Sequence, residues 1–301
     1  MKADVLFSYY EPPSWGAFAW RQCQEDGLVI NAVPMGQDPA FVMDALRASE
    51  AEAIILVSPI FYSDFFAAQD IESLGKPIIE LVAEWTWGNS LHSHREWQEN
   101  RRFRADAYFC AQRSDVDQMH RLGRRAYPLK PFLSTRHFRK GGPLAQRVPK
   151  LCFVGATGED TPWVYGERRR QLAALREAGL VDVLGIPKGP QSAHMVAYAY
   201  ATYAGVFCPP ANGLAHSIRT YEAASAGALV VESQPMLPEN VCLRDGIQRI
   251  AVPEGIEADE LREIVRSIKF PDMQHIADAG HAYVAEHCDA SRVVREILAT
   301  L

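Results

Sequence analysis

Arg219 and Glu222 stand one helical turn apart in Ile218–Ala226, a segment that is predicted to be a short helix. Ser217 is a good N-cap residue for this helix, and Gly227 is well placed to end it. A helix N-terminus offers free N–H groups and a positive dipole end, so it suits a diphosphate. Arg219 adds a forked, charge-assisted donor. A carboxylate at Glu222 can accept hydrogen bonds from both hydroxyls of a ribose. The spacing therefore predicts a nucleotide-binding helix end.

Short apolar runs alternate with longer amphipathic stretches along the chain, a pattern typical of βα units and parallel sheets. The predicted strands are Asp4–Phe7, Val29–Val33, Ala53–Val57, Pro77–Leu81, Ala107–Ala111, Ala126–Leu129, Leu151–Val154, Val181–Leu184, Val206–Cys208, Leu229–Val231 and Arg249–Val252. The predicted helices are one that begins near Trp15, Phe41–Ser49, Phe65–Leu74, Asp115–Leu122, Glu167–Ala178, Ser192–Ala201, Ile218–Ala226, Ala258–Ile268, Met273–His287 and Ala290–Leu301.

The polar, turn-rich stretch Arg139–Pro143 is predicted to be a linker between two domains. We expect an α/β protein with two tandem Rossmann-like domains, residues 1–140 and residues 147–301. The second domain would end in two closing helices. Such domains bind ligands outside the carboxyl ends of their strands and would enclose a cleft.

Three acidic residues follow predicted strands of the first half and are candidates for a catalytic base: Glu11, Asp64 and Glu84. Two of them also have a simpler interpretation. Glu11 precedes Pro-Pro and can belong to an exposed turn, while Asp64 can cap a helix. Gly16, near the start of the first helix, can let the backbone approach donor phosphates.

The run Glu222-Ala-Ala-Ser-Ala-Gly227, followed by Ala-Leu-Val-Val, resembles the signature of the group 1 glycosyltransferases. Arg219 three residues earlier is similar to the Arg-x-x-Glu version of the short, spore-protein-like branch. The resemblance implies a GT-B fold, with Glu222 on the nucleotide ribose. It also implies that Arg219, Ser217 and Thr220 hold the donor diphosphate.

A second stretch, Leu151-Cys-Phe-Val-Gly155 and then Glu167-Arg-Arg-Arg-Gln-Leu, resembles the start of that family's C-terminal domain. The resemblance implies that Gly155 and Ala156 line the donor site, and it makes Arg168 a candidate for the diphosphate.

One position departs from the family pattern, because Leu214 stands where many retaining members carry an acidic residue. His216 beside it is a candidate to replace that contact. The stereochemical course therefore does not follow from the sequence.

The implied function is transfer of a sugar from a nucleotide diphosphate sugar, a UDP-sugar being favoured, to a hydroxyl acceptor, with neither metal nor cofactor. The acceptor can be a saccharide, a small molecule or a modified nucleic-acid base. Trp85 and Trp87 with the arginines of residues 95–104 keep a phage-type DNA-base glycosyltransferase open. A nucleotide-sugar epimerase and a non-catalytic sugar-nucleotide binding module are further alternatives. In the simplest alternative, Arg219 and Glu222 form only a surface ion pair.

The composition limits the other classes. A net charge of -6 gives no global basic field for nucleic acid. The six cysteines are scattered without a zinc-type spacing, and neither a signal peptide nor a membrane-spanning run is evident, so we expect a reduced, cytoplasmic protein. Phosphate-loop, dinucleotide-binding and nucleophile-elbow motifs are missing from the sequence, which argues against a kinase, a dehydrogenase or a serine hydrolase.

Overall fold

A computed structural model of the chain describes residues 2–7, 15–34, 39–57, 71–82, 105–111, 113–155, 157, 162–185, 192–209, 217–233, 243–253 and 255–301. The strands in these ranges are β1 Lys2–Phe7, β2 Val29–Pro34, β3 Ala53–Val57, β4 Ile78–Val82, β5 Ala107–Cys110, β6 Ala126–Pro128, β7 Val148–Val154, β8 Val181–Leu184, β9 Tyr203–Cys208, β10 Leu229–Ser233 and β11 Ile250–Val252. The α-helices are α1 Trp15–Glu25, α2 Pro39–Ala48, α3 Arg113–Arg121, α4 Pro162–Glu177, α5 Ser192–Thr202, α6 Ile218–Ser225, α7 Ala258–Ser267, α8 Gln274–His287 and α9 Ala290–Leu298. None of the described helices is long and apolar enough to cross a membrane.

The chain divides into two compact units, Met1–Lys130 with Ala290–Leu301, and Pro131–Asp289. The first unit contains a parallel sheet in the order β2-β1-β3-β4-β5-β6. Buried side chains of α2 and α3 pack with those of the sheet, for example Met43 and Met119 with Ile54. This unit is therefore a doubly wound α/β domain.

The second unit repeats this arrangement with a parallel sheet in the order β11-β10-β9-β7-β8. Alternate residues of β7 enter different cores, since Cys152 packs with α5, α6 and α8, and Phe153 packs with α4 and α7. Both faces of the sheet are covered, which explains why its strands are apolar throughout. The expected α/β fold class is confirmed, and all eleven predicted strands are present.

One predicted helix, Phe65–Leu74, is described only in its last residues. There the chain forms a 3₁₀ turn, Glu72–Leu74. The other predicted helices are present, and α4 begins five residues earlier than expected.

The C-terminal helix belongs to the first unit, whereas the sequence placed it in a second domain of residues 147–301. Helix α9 packs against α1, where Ser291 Oγ donates to Asp26 Oδ2 at 2.5 Å and Arg295 Nη2 donates to the Asp26 carbonyl at 2.8 Å. Its apolar face, which includes Val293, Val294 and Ile297, is buried. The amphipathic pattern of α9 predicts a buried face but does not say which domain covers it.

The stretch 139–143 is packed into the second unit, and the prediction of a linker there is wrong. The Gly141 N–H donates to the Ala226 carbonyl at 3.0 Å, and a Cβ at Gly141 would lie 2.4 Å from the Ala201 carbonyl oxygen. Lys140 forms an ion pair with Asp278 at 2.8 Å. Glycines and polar residues are typical of flexible linkers, but here they allow close packing and an ion pair within the second unit.

Arg147 fixes this stretch from inside the second unit. Its buried guanidinium donates to the carbonyls of Gly142 at 2.7 Å, Tyr200 at 3.1 Å and Ala226 at 3.0 Å. The last two carbonyls lie at the C-terminal ends of α5 and α6, where helix carbonyls lack intrahelical partners and the dipole favours a cation. One side chain therefore ties two helix ends to the chain that precedes β7.

We expect Arg147→Met to lower the free energy of unfolding by roughly 3–5 kcal/mol, because the Gly142 and Tyr200 carbonyls lose the Arg147 donor and the Ala226 carbonyl keeps only the Gly141 N–H. Chemical denaturation measures the change. Arg139→Met is the matched control, since Arg139 is exposed and donates to the nearby Arg136 carbonyl. An equal loss in both variants would contradict the role of Arg147.

Candidate functional site

The strand order of the second unit reverses at β7, which lies between β8 and β9. In doubly wound sheets, ligands bind at the carboxyl ends of the strands at such a reversal. Gly155 directly follows β7, Pro209 directly follows β9, and Ser217 begins the next described segment of the chain. The topology therefore directs attention to the end of β7 and the start of α6.

Ser217 caps α6, as the sequence predicted. Its backbone is extended, and its Oγ accepts a hydrogen bond from the Arg219 N–H at 3.2 Å. The same Oγ accepts a second bond from Arg219 Nη1 at 3.3 Å. The cap therefore holds both the backbone and the side chain of Arg219.

The Arg219 guanidinium lies directly against Gly155. A Cβ built on Gly155 would lie 2.6 Å from Nη2, 2.7 Å from Cζ and 2.9 Å from Nε. Gly155 also has a φ of 138°, a backbone conformation that residues with a side chain rarely adopt. Glycine is thus required twice over, by its own backbone and by the guanidinium that packs on it. The structure therefore brings Arg219, which was predicted to hold the diphosphate, into contact with Gly155, which was predicted to line the donor site.

Glu222 lies one turn along α6 and is 5% exposed. Burial raises the pKa of its carboxyl from 4.5 to about 7, and the nearby charge of Arg219 lowers it in part. No direct ion pair joins the two side chains in the part of the chain that the structure describes. The interpretation as a surface ion pair is therefore wrong for this Arg-x-x-Glu, because the glutamate is buried. Near neutral pH, this carboxyl can gain or lose a proton.

Thr220 is fully buried, and the structure gives it a role other than the expected diphosphate contact. Its hydroxyl donates to Glu232 Oε1 at 2.6 Å. Glu232 in turn lies 3.5 Å from Arg249 Nη1, and Arg249 Nε donates to the Leu243 carbonyl at 3.1 Å. The chain Thr220–Glu232–Arg249 holds the first turn of α6 on β10. The Thr220 hydroxyl therefore fixes the position of α6 relative to β10.

Arg168 is also buried, although we expected it to help hold the diphosphate. Its Nη2 donates to the Pro209 carbonyl at 3.3 Å, and its Cζ lies 5.8 Å from the centre of the Phe153 ring. Because Pro209 ends β9 and Phe153 belongs to β7, Arg168 holds the two strand ends at the reversal. Its position gives it a structural function there.

The other predicted site residues are placed in part. Gly16 is the second residue of α1, at the start of that helix. The candidate bases Glu11, Asp64 and Glu84 lie outside the described residues, as do Ala156 and His216.

Two buried residues near the site were not predicted. Glu232 interrupts a fully buried strand, and a charged residue in such a strand is a signal that the sequence does contain. Tyr200 is fully buried at the end of α5, and burial with the charge of Glu222 raises its pKa well above the usual value. Its sequence context, an apolar helix with Tyr198 and Tyr203 nearby, gives no such signal.

Within the described ranges, no group of three or more His, Cys, Asp or Glu residues is arranged to hold a metal ion.

Comparison with known proteins gives structural neighbours only. No protein-family model matches the chain, and no curated protein sequence matches it. HepE from Anabaena, solved in complex with UDP-glucose, is similar with a TM-score of 0.65 and 12% identity over 100% of both chains. Sucrose-phosphate synthase from Thermosynechococcus elongatus has a TM-score of 0.66 and 11% identity over 100% of both chains. A glycosyltransferase from Rickettsia africae has a TM-score of 0.59 and 10% identity, covering 99% of this chain and 97% of its own.

The Rickettsia protein is a glycosyltransferase, and at these identities the likeness shows the fold alone. The chain has the two-domain GT-B fold that the sequence motif implied.

Proposed function

We propose that this protein is a glycosyltransferase that moves a sugar from a nucleotide diphosphate sugar to a hydroxyl acceptor. The observation that carries the proposal is the contact of Arg219 with Gly155 at the strand-order reversal, one turn from the buried Glu222. Neighbours of the same fold were solved with UDP and with UDP-glucose, which supports a UDP-sugar as the donor. The Arg-x-x-Glu spacing also supports placing the chain with the short, spore-protein-like branch.

The donor would be held by the residues around the start of α6. The positive end of the helix dipole and the Arg219 guanidinium would bind the diphosphate, while the Glu222 carboxylate accepts hydrogen bonds from the ribose hydroxyls. As the sugar–phosphate bond breaks, negative charge grows on the diphosphate. A fixed helix end and a fixed guanidinium stabilise that charge without reorganising. We propose on this ground that the reaction needs neither a metal nor a cofactor.

The acceptor side is proposed from the sequence. A hydroxyl acceptor becomes a nucleophile when a positioned base takes its proton. Glu11, Asp64 and Glu84 remain the candidates for this base. The acceptor class is a saccharide, a small molecule or a modified nucleic-acid base.

Five described cysteines, Cys23, Cys110, Cys152, Cys208 and Cys288, are free and buried. Free thiols suit a reducing compartment and support our proposal of a cytoplasmic protein.

Calorimetric titration of the purified chain with UDP, GDP and ADP tests the donor site. We expect UDP to bind and Arg219→Ala to weaken that binding. Diphosphate release is then measured with a panel of UDP-sugars, with and without candidate acceptors. Release that requires an acceptor supports a transferase, whereas conversion of the donor alone supports an epimerase. Binding without turnover of any donor supports a non-catalytic module, and no binding of any nucleoside diphosphate overturns the proposal.

Donor affinity should depend on pH through Glu222. UDP-glucose is the suitable ligand, because its diphosphate carries no terminal phosphate that titrates near pH 6. The pKa of this carboxyl is about 7, so at lower pH the carboxyl is protonated and becomes a weaker hydrogen-bond acceptor. We expect Kd to rise up to about tenfold for each pH unit below 7 and to level off above pH 8. Calorimetry between pH 5.5 and 8.5 measures this, and a flat profile would show that the ionised carboxylate is not required.

A further inference from the structure

Tyr200 and Glu222 lie on two helices of the second unit that are tied together by named contacts. Helix α5, which carries Tyr200, packs on α6, which carries Glu222. Arg147 Nη1 donates to the Tyr200 carbonyl at 3.1 Å, and Arg147 Nη2 donates to the Ala226 carbonyl at the end of α6 at 3.0 Å. One guanidinium therefore fixes the backbone of Tyr200 relative to the helix of Glu222.

A second link runs through Phe138. The Tyr200 ring stacks on the Phe138 ring with centroids 6.4 Å apart, and the Phe138 carbonyl accepts a hydrogen bond from Ser225 Oγ of α6 at 2.9 Å. The ring of Tyr200 is thus held as firmly as its backbone. Its hydroxyl has little freedom to move relative to α6.

The Tyr200 hydroxyl is buried, and it has no hydrogen-bond partner in the described part of the chain. A buried hydroxyl without a partner is uncommon, because the group has lost its hydrogen bonds to water. A phenylalanine would pack equally well and would avoid this loss. A fixed, unpaired donor beside a binding site therefore points to an acceptor that comes within reach in another state of the site.

The charges around this hydroxyl identify the partner. Burial and then the charge of Glu222 raise the pKa of Tyr200, with further contributions from the Cys208 and Cys152 thiols, while Arg219 lowers it. The phenol thus stays protonated near neutral pH and can donate a hydrogen bond to a neighbouring carboxylate. Glu222 is the nearby carboxyl, and the pKa of both thiols is raised by burial, so they stay neutral.

We infer that Tyr200 is a positioning residue for Glu222, and that its hydroxyl donates a hydrogen bond to the Glu222 carboxylate once that carboxylate is ionised, which is the form that accepts the ribose hydroxyls. This inference rests on the proposed donor site. The bond would leave the remaining carboxylate lone pairs for the ribose. It would also favour the ionised form of a buried group that burial alone keeps protonated.

Tyr200→Phe removes the hydroxyl and keeps the ring. We expect its Kd for UDP-glucose to be about tenfold weaker than wild type at pH 7 and close to wild type at pH 9, with the pH midpoint of binding shifted upward by about one unit. Calorimetry between pH 6 and 9 measures both. Tyr198→Phe is the matched control, because Tyr198 lies on the same helix and is 73% exposed. In the Glu222→Gln background, Tyr200→Phe should add no further loss.

Three results would overturn the inference. Tyr200→Phe could leave Kd unchanged, or it could weaken binding by the same factor at every pH. It could also weaken binding in the Glu222→Gln background by as much as in wild type. The pH dependence of the free energy of unfolding supplies a readout that needs no nucleotide. There, Tyr200→Phe should move the Glu222 transition to higher pH. If wild type binds no nucleotide sugar, the proposed function fails. The unfolding profile then still decides whether Tyr200 is coupled to Glu222.

Discussion

Replacing Glu222 with glutamine should weaken the binding of UDP-glucose about 100-fold at pH 8 while making the protein more stable. The carboxylate is expected to accept two hydrogen bonds from the ribose, and bonds to a charged acceptor contribute about 1.5–3 kcal/mol each. Glutamine keeps the volume, but one of the two carboxylate oxygens becomes an amide donor. A loss of roughly 3 kcal/mol in binding corresponds to the stated factor.

The gain in stability follows from the raised pKa of Glu222. In the unfolded chain this carboxyl ionises near 4.5, and in the folded protein it ionises near 7. The folded state therefore holds the proton more tightly, so the contribution of Glu222 to stability is full below pH 4.5 and is lost as pH rises to about 7. At pH 8 the buried charge destabilises wild type by about 3 kcal/mol, and Glu222→Gln removes that effect.

Calorimetry and chemical denaturation at pH 8 measure the two effects, and Glu260→Gln is the control because Glu260 is an exposed helical glutamate. Weaker binding together with higher stability would mark a residue kept for function. If Glu222→Gln bound UDP-glucose as tightly as wild type, the ribose role would be wrong. If it were less stable than wild type, the carboxylate would have a structural partner.

Replacing Gly155 with alanine should also lower donor binding by about 100-fold. The new methyl group would lie within 2.9 Å of three guanidinium atoms of Arg219, so Arg219 must move away from its position beside the helix end. The loss of a charge-assisted contact to the diphosphate costs about 2–3 kcal/mol. The unusual φ of Gly155 adds roughly 1–3 kcal/mol of strain to the folded state.

Alanine variants of two other glycines distinguish the effect of backbone strain from the effect of displacing Arg219. Gly179 also has a positive φ, 70°, but a Cβ there meets no atom within 4 Å, and Gly166 has open space with no such φ. Gly179→Ala should therefore lose stability and keep binding, and Gly166→Ala should keep both. The double variant Gly155→Ala, Arg219→Ala should bind no worse than Arg219→Ala alone. A further loss in the double variant would show that Gly155 acts on the donor independently of Arg219.

The strands were predictable because buried parallel strands are short, apolar and separated by turn residues. Several of them extend further than the apolar pattern indicates. β7 begins at Val148 with exposed and half-buried residues, and β9 begins at the half-buried Tyr203. Pairing with a neighbouring strand does not require burial, so hydrophobicity alone misses such ends.

The capped helix start of the proposed donor site was predictable from local chemistry, since capping depends on adjacent residues. Ser217, Arg219 and Glu222 follow from that logic. Thr220 does not, because its hydroxyl bonds to Glu232, twelve residues away on another element. Residues that act across elements, such as Arg147 and Tyr200, have no local signature. Their roles depend on which helix ends the fold brings together.

The position of α9 has a consequence for how the chain is synthesised. The second unit is a continuous stretch, Pro131–Asp289, so all of it has been translated before α9 exists. The first unit receives the helix that covers α1 only after residues 131–289 have been translated. During translation the second unit can complete its core while the apolar surface of α1 is still open to other chains and to chaperones. The order of completion is thus the reverse of the order of synthesis.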